Sequence, residues 1–185
     1  MSHYLFDSAA AQAAGRFSAL ESCYDPVSRR QLELTGLATG WRCLEVGGGS
    51  ASLGDWLGER VGPRGEVTVT ELEPRWAASR HRPDHVRLLR HDIVHDPLPG
   101  MDYDLVHARL VLLHLPERLE VLEKLVAALR PGGWLVLGRG QKEHGVTLLR
   151  SGPNSGCRAR RPRLSGRRSQ PGERLPPPSR LPCGK

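Results

Sequence analysis

A glutamate late in an apolar run, followed almost at once by three glycines, is the first place in this chain where residue types and spacing suggest chemistry. In CLEVGGGSASLGDWL, Glu45 precedes Gly47, Gly48 and Gly49, and a stretch with Leu53, Trp56 and Leu57 at helical spacing follows. Glycines at such a point let the backbone turn sharply and approach a ligand that a Cβ would hold off. The N–H groups that open the next helix then face that ligand unpaired. A glycine-rich turn alone is common in loops; a strand before it and a helix after it give it weight. Twenty-four residues past Gly47, VTVTELEP puts Glu71 at the end of a β-branched run, where a carboxylate can accept both hydroxyls of a ribose. Glu73 competes for that role but reads more simply as a solvated acid at a helix start. In the third piece, RHDIVHDPLP, Asp92 can accept from the exocyclic amine of a base, and Ile93 can lie along the flat of its ring. His91 and His95 read as surface histidines.

The elements that must position these residues alternate between strand and helix signals over 41–138, the pattern of a doubly wound parallel sheet. The expected strands are Arg42–Val46, Glu66–Thr70, Val86–Leu89, Tyr103–Ala108 and Trp134–Leu137. The expected helices run from about Ala51 to Val61, near Pro74–Arg80, and from Pro116 at a favoured first position. The last of these carries Leu119, Leu122, Leu125, Val126 and Leu129 on one stripe and stops before Pro131. Residues 1–40 read as a helical cap, broken near Asp25–Pro26, whose second helix of about Val27–Leu34 ends at Gly36. A cap of this kind can serve as a lid, with Tyr4, Phe6, Phe17 or Tyr24 covering a ligand.

The order E-x-G-x-G, an acid after the second strand, HDI after the third, then YDLVHARLVLLHLPE and LRPGGWLVL resembles the class I S-adenosylmethionine-dependent methyltransferases. Within them it is similar to the small-molecule group that includes ubiquinone/menaquinone-type and antibiotic-tailoring enzymes, over about residues 15–138. The resemblance implies a Rossmann-like fold and S-adenosyl-L-methionine as cofactor. It further implies that Glu45, Gly47 and Gly49, with Gly48 between them, hold the methionine end. Glu71, with Leu72 beside it, would hold the ribose, and Asp92 with Ile93 the adenine. His107 to Arg109 would line the floor near the methyl group. The implied mechanism is in-line transfer of a methyl from a sulfonium, with no dedicated base required; His107 and His114 are the candidates for removing a proton. Ala51 stands where the family usually has a third glycine, a small change expected to cost little.

Composition places limits on this reading. The chain has 185 residues and a net charge of +7, but residues 141–185 carry +9 and residues 1–140 carry −2. The basic character therefore belongs to a tail that holds seven prolines, nine arginines and no aromatic residue. Such a segment has too little apolar content to offset chain entropy and is expected to be disordered. The domain expectation is thus a cap over 1–40, a cofactor-binding core over 41–140 and a tail over 141–185, with about five strands in an incomplete sheet. The family continues after its fifth strand with a helix and two further strands. Their absence here suggests a frameshifted or truncated ending that leaves little or no methyl transfer, and reading the coding DNA in its other two frames past codon 138 checks it. Four cysteines without CxxC spacing suggest neither zinc nor a disulfide framework, and no metal site is expected. No apolar run approaches the ~20 residues of a membrane span, and the start lacks the build of a signal peptide, so a cytoplasmic location is expected.

Two rivals come from other classes. A nicotinamide-dependent oxidoreductase shares the glycine turn and the acid, but G-x-G-x-x-G fails at Ser52. A nucleic-acid binder would use the arginine-rich tail for phosphates, yet that tail lacks aromatic side chains on which bases stack. The expected partner is a small-molecule acceptor whose identity, and whose methylated atom, the residues do not specify.

Overall fold

The computed structural model describes residues 13–78, 81–138, 146–152 and 157–160, with side-chain surroundings for 19–78, 81–138 and 147–152. A single sheet of seven strands runs through them in the order β3-β2-β1-β4-β5-β6-β7. The strands are β1 (Arg42–Val46), β2 (Glu66–Glu71), β3 (Val86–Arg90), β4 (Tyr103–Arg109), β5 (Leu129–Gly138), β6 (Val146–Ser151) and β7 (Cys157–Arg160). The first five pair in parallel, as the alternation of strand and helix signals requires. Four helices join them: α1 (Ala13–Glu33), α2 (Ser52–Val61), α3 (Arg75–Ala78) and α4 (Arg118–Ala127).

Strands buried on both faces read as continuous apolar runs, and the pleat then divides their side chains between two cores. Cys43, Val67, Val69, Leu105 and Val136 pack with Leu53, Leu57 and Val61 of α2 and with Leu32 of α1. On the other face Leu44, Val46, Val106, Ala108 and Leu135 pack with Val121 and Leu125 of α4. Strand order reverses at β1, between β2 and β4, so the carboxyl ends of these strands form the switch point where ligands of such sheets bind.

Four expectations are corrected. The break at Asp25–Pro26 does not occur, because α1 is continuous with Pro26 inside it. Proline removes one backbone hydrogen bond. Tertiary bonds hold this turn nevertheless: the Asp25 carboxylate accepts from Arg109 Nη1 and Ser52 Oγ at 2.8 Å each and pairs with Arg29 across the proline. Ala51 is not free of cost, since its backbone is left-handed (φ 65°) with the methyl wholly buried. That conformation costs an L-residue about 1–2 kcal/mol, which burial of the methyl offsets in part. In α4, Leu119 is 69% exposed and Leu129 belongs to β5, so the buried stripe is carried by Val121 and Leu125. The helix itself opens two residues past Pro116.

The fourth correction concerns the tail. Residues expected to be structureless form β6 and β7, which extend the sheet in antiparallel fashion from β5. VTLL is a short apolar run of the kind that suits a strand with both faces covered. Leu148 is buried against the α2-side core and Leu149 packs on the other. Residues 141–145, 153–156 and 161–185, the rest of the expected tail, lie outside the described residues, as do Tyr4 and Phe6 of the expected lid. No helix among the described residues is long and apolar enough to cross a membrane.

Candidate functional site

The turn after β1 is shaped by its glycines. Gly47 and Gly49 have φ of 68° and 60°, values that glycine adopts without strain. Gly47 and Gly48 both donate their N–H to Thr70 O, at 2.8 and 3.1 Å, which fastens the turn to the end of β2. A Cβ on Gly47 would drive into the side chain of Val111, and one on Gly48 into Val69. Gly47 therefore admits the close approach of Val111 as well as of any ligand. Val111 reaches this position because the chain reverses after β4 through Leu110, whose φ is 59°, into a single 3₁₀ turn at Leu112–His114.

Glu71 joins the pieces that the sequence separates. It ends β2, is 5% exposed, and its carboxylate accepts from Gly49 N at 2.7 Å and from Leu72 N at 2.9 Å. Burial works against its charge and outweighs these backbone donors, so its pKa lies above the ordinary carboxylate range. Glu73, the competing acid, is half-buried and pairs with Arg75 at 3.4 Å. Between the turn and the loop after β3 lies a cleft of about 290 Å³, near the lower end of the range for ligand pockets. Val46, Ile93, Val111 and Leu115 give it apolar walls, and Gly47, Thr70, Glu71, Leu72, His91 and Asp92 add polar groups.

Asp92 borders this cleft with its carboxylate already engaged. Oδ1 accepts from Val94 N at 2.9 Å, and Oδ2 lies 2.8 Å from His95 Nδ1. Burial works against its charge, but the His95 ring and the backbone N–H groups of Val94 and His95 outweigh it and lower its pKa. His91 is buried rather than at the surface, with Nε2 3.0 Å from Pro97 O; the carbonyl can only accept, so Nε2 carries the hydrogen. His95 is exposed.

Glu45 and His107 sit elsewhere. They are cross-strand neighbours on β1 and β4 and point to the α2 side of the sheet, opposite Val46 and Ala108. Glu45 is 3% and His107 1% exposed, and His107 Nδ1 lies 3.9 Å from Glu45 Oε1. Burial, partly countered by Arg109, pushes the Glu45 carboxyl up to about 8. Burial, aided by Arg109, pushes His107 down to about 3. Arg109 itself is held by α1, on Asp25 and on Ser28 Oγ at 3.2 Å. His114 lies on the 3₁₀ turn, and neither it nor His107 borders the cleft.

Three contributors had no sequence signal. Asp25 looks like a helix-breaking neighbour of Pro26, yet it ties α1 to β4 and α2. Val111 and Leu115, in a leucine-rich run, belong to the core and also wall the cleft.

The Glu45–His107 pair sets an expected pH profile for stability in the ligand-free chain. The raised Glu45 pKa means the folded state holds a proton the unfolded state has lost, so stability falls as pH rises from about 4.5 to about 8. The lowered His107 pKa acts oppositely, with stability falling as pH drops from about 6.5 to about 3. The two cancel between about 4.5 and 6.5, leaving a plateau there and a decline of about 1–2 kcal/mol up to pH 8. Denaturant melts across this range measure it, and Glu45→Gln should flatten the alkaline arm. An alkaline arm unchanged by that substitution would assign the proton to another group.

Comparison with known proteins bears on the same segment. Residues 44–135 match the family model described as a methyltransferase domain. The methyltransferase str2 of Strobilurus tenacellus is 32% identical over 99 residues, 52% of this chain and 34% of that protein. A ubiquinone/menaquinone biosynthesis C-methyltransferase of Nitrosospira multiformis is 30% identical over 114 residues, 59% of this chain and 47% of that protein. The chain thus spans between a third and a half of the curated relatives it matches. Among solved structures, a putative methyltransferase from Haloferax volcanii, in complex with the activator Trm112, superposes with a TM-score of 0.60 at 22% identity. That superposition covers 69% of this chain and 57% of the other and shows a shared fold. Neither the oxidoreductase nor the nucleic-acid reading gains support from these likenesses.

Proposed function

We propose, from the premise that this chain belongs to the class I S-adenosylmethionine-dependent methyltransferases, that it binds S-adenosylmethionine beside the glycine turn and transfers its methyl group to a small-molecule acceptor. The observation that supports this most is Glu71, a buried carboxylate bonded to the glycine turn and bordering an apolar-walled cleft. Its remaining lone pairs can accept the ribose hydroxyls. Ile93, Val111 and Leu115 offer the flat apolar surface a purine needs, and Asp92 stands at its edge. The residues present therefore fit the cofactor. Glu45, whose Oε2 is buried without a hydrogen-bond partner, lies beneath the glycine turn and does not border the cleft.

When bound, the cofactor supplies an electrophilic methyl group on a sulfonium. The chain's own contribution is alignment and exclusion of water. Gly47 and Gly49 allow close backbone approach, and Glu71 fixes the turn against β2. Arg109 positions α1 through Asp25. Proton removal from an acceptor is assigned to neither His107 nor His114, since neither borders the cleft.

Calorimetric titration with S-adenosylhomocysteine tests the reading without knowledge of the acceptor. Saturable binding of one molecule per chain, unaffected by excess NAD, is the expected result. Absence of binding would overturn the proposal, and competition by NAD would return the oxidoreductase reading.

A further inference from the structure

The residue that opens α2 stands in a conformation its own side chain resists. Ala51 has φ 65° and ψ 21°, with its methyl wholly buried. A residue at this position of a helix ordinarily has an extended backbone and caps the helix with its side chain; Ala51 does neither. In left-handed backbone a Cβ crowds the neighbouring carbonyl, and an alanine without support leaves that region. The support comes from outside the turn. Ser50 and Ser52, on either side of Ala51, both donate their hydroxyls to acids of α1. Ser50 Oγ meets the Glu21 carboxylate, and Ser52 Oγ meets Asp25 Oδ2 at 2.8 Å. Glu21 and Asp25 are four residues apart, the spacing that puts two side chains on one face of a helix.

α1 can offer that face because its second half is anchored independently. Leu32 is fully buried in the core shared with α2, Arg29 lies 5.7 Å from the centre of the Trp56 ring, and Glu33 pairs with Arg60. Asp25 is fixed further by Arg109 at 2.8 Å, so it meets Ser52 with its carboxylate already placed. The strained alanine lies two positions past Gly49, whose N–H meets Glu71 at the cleft. We propose that Glu21 and Asp25 are positioning residues that hold Ala51 in its left-handed conformation through Ser50 and Ser52, and so keep the glycine turn in the shape that receives the cofactor. This rests on the assignment of the cleft to S-adenosylmethionine. Released from α1, Ala51 relaxes toward an ordinary backbone. The turn before it must then shift, because α2 is held by its own core contacts. The shape that binds becomes a minority state, and affinity falls by the fraction lost. A glycine at position 51 would need no such support, since it enters this region without strain.

Calorimetry with S-adenosylhomocysteine on the full chain tests this. Glu21→Ala with Ser52→Ala cuts one tie on each side of Ala51 and leaves the pair of Asp25 with Arg109 intact. Binding should weaken about fivefold to thirtyfold, which is the cost of a left-handed alanine converted to affinity. Adding Ala51→Gly should restore most of the lost affinity, although the glycine itself lowers resistance to denaturant. Should the cut chain fail to fold, the same two substitutions are compared on the Ala51→Gly background, where they should leave the affinity of that background unchanged. Unchanged affinity in the cut chain overturns this inference and leaves the cofactor assignment standing. A loss that Ala51→Gly does not restore, or an equal loss when the ties are cut on the glycine background, also overturns it, because the ties then act by another route than Ala51. Absence of S-adenosylhomocysteine binding to the unaltered chain overturns the cofactor assignment and this inference together.

Discussion

Gly47→Val is expected to abolish measurable S-adenosylhomocysteine binding while the far-ultraviolet signature of the helices is kept. Two independent costs meet at this position. The backbone has φ 68°, a region that a β-branched residue enters only under strain. The new Cβ would also press into Val111, whose side chain fills the space a hydrogen now leaves. Together these should lower stability by about 2–4 kcal/mol, and relief of the clash by movement of either segment would disturb the cleft that both border. The pair Gly47→Ala with Val111→Ala removes the clash but keeps the left-handed strain, so it should recover part of the stability and little of the binding. Calorimetry and denaturant melts measure the two effects separately. Unchanged binding in Gly47→Val would falsify the assignment of this turn to the cofactor.

Glu71→Ala is the second large change expected. Removing a charged acceptor from ribose hydroxyls costs about 1–3 kcal/mol, a weakening of tenfold to a hundredfold. The carboxylate also receives Gly49 N and Leu72 N, so alanine leaves two donors at the cleft without their partner and loosens the turn. Glu71→Gln keeps one acceptor oxygen and should fall between alanine and the unaltered chain. Glu73→Ala removes a partly exposed acid paired with Arg75, and such pairs contribute little, so its effect on binding should be slight. If Glu73→Ala proves the more damaging, the ribose contact lies two residues further along the chain than Glu71.

The five parallel strands were legible because each is an apolar or β-branched run, and such runs keep their identity whatever packs on them. The glycine turn and the place of Glu71 were legible for a related reason: both depend on backbone geometry and position at a strand end, which are written locally. What escaped was set by contacts distant in sequence. Pro26 carries a strong local signal to break a helix, but Asp25 one residue earlier is held by Arg109, 84 positions away. VTLL in the tail is too short to stand out among prolines and arginines, and only the open edge of β5 makes it a strand. The side of the sheet on which Glu45 points follows from the pleat, yet which side holds the cleft depends on where Val111 folds back. Asp92 shows the same limit. Its place at the cleft was readable, while its engagement by His95 was not.

The strand order also governs how this chain comes into being on the ribosome. β1 lies between β2 and β4, and the bond from Arg42 N to the Asp104 carboxylate at its amino end spans 62 residues. Synthesis proceeds from the amino terminus at about 5–20 residues per second. This inner strand is therefore made early and waits several seconds for the neighbour that covers its second edge. Closing so long a span costs entropy before any contact repays it, which makes parallel pairings of this type slow to form. Throughout that interval the run Cys43–Val46 presents both apolar faces and one unpaired backbone edge, so the nascent chain is most vulnerable to misassociation just before residue 109 leaves the exit tunnel.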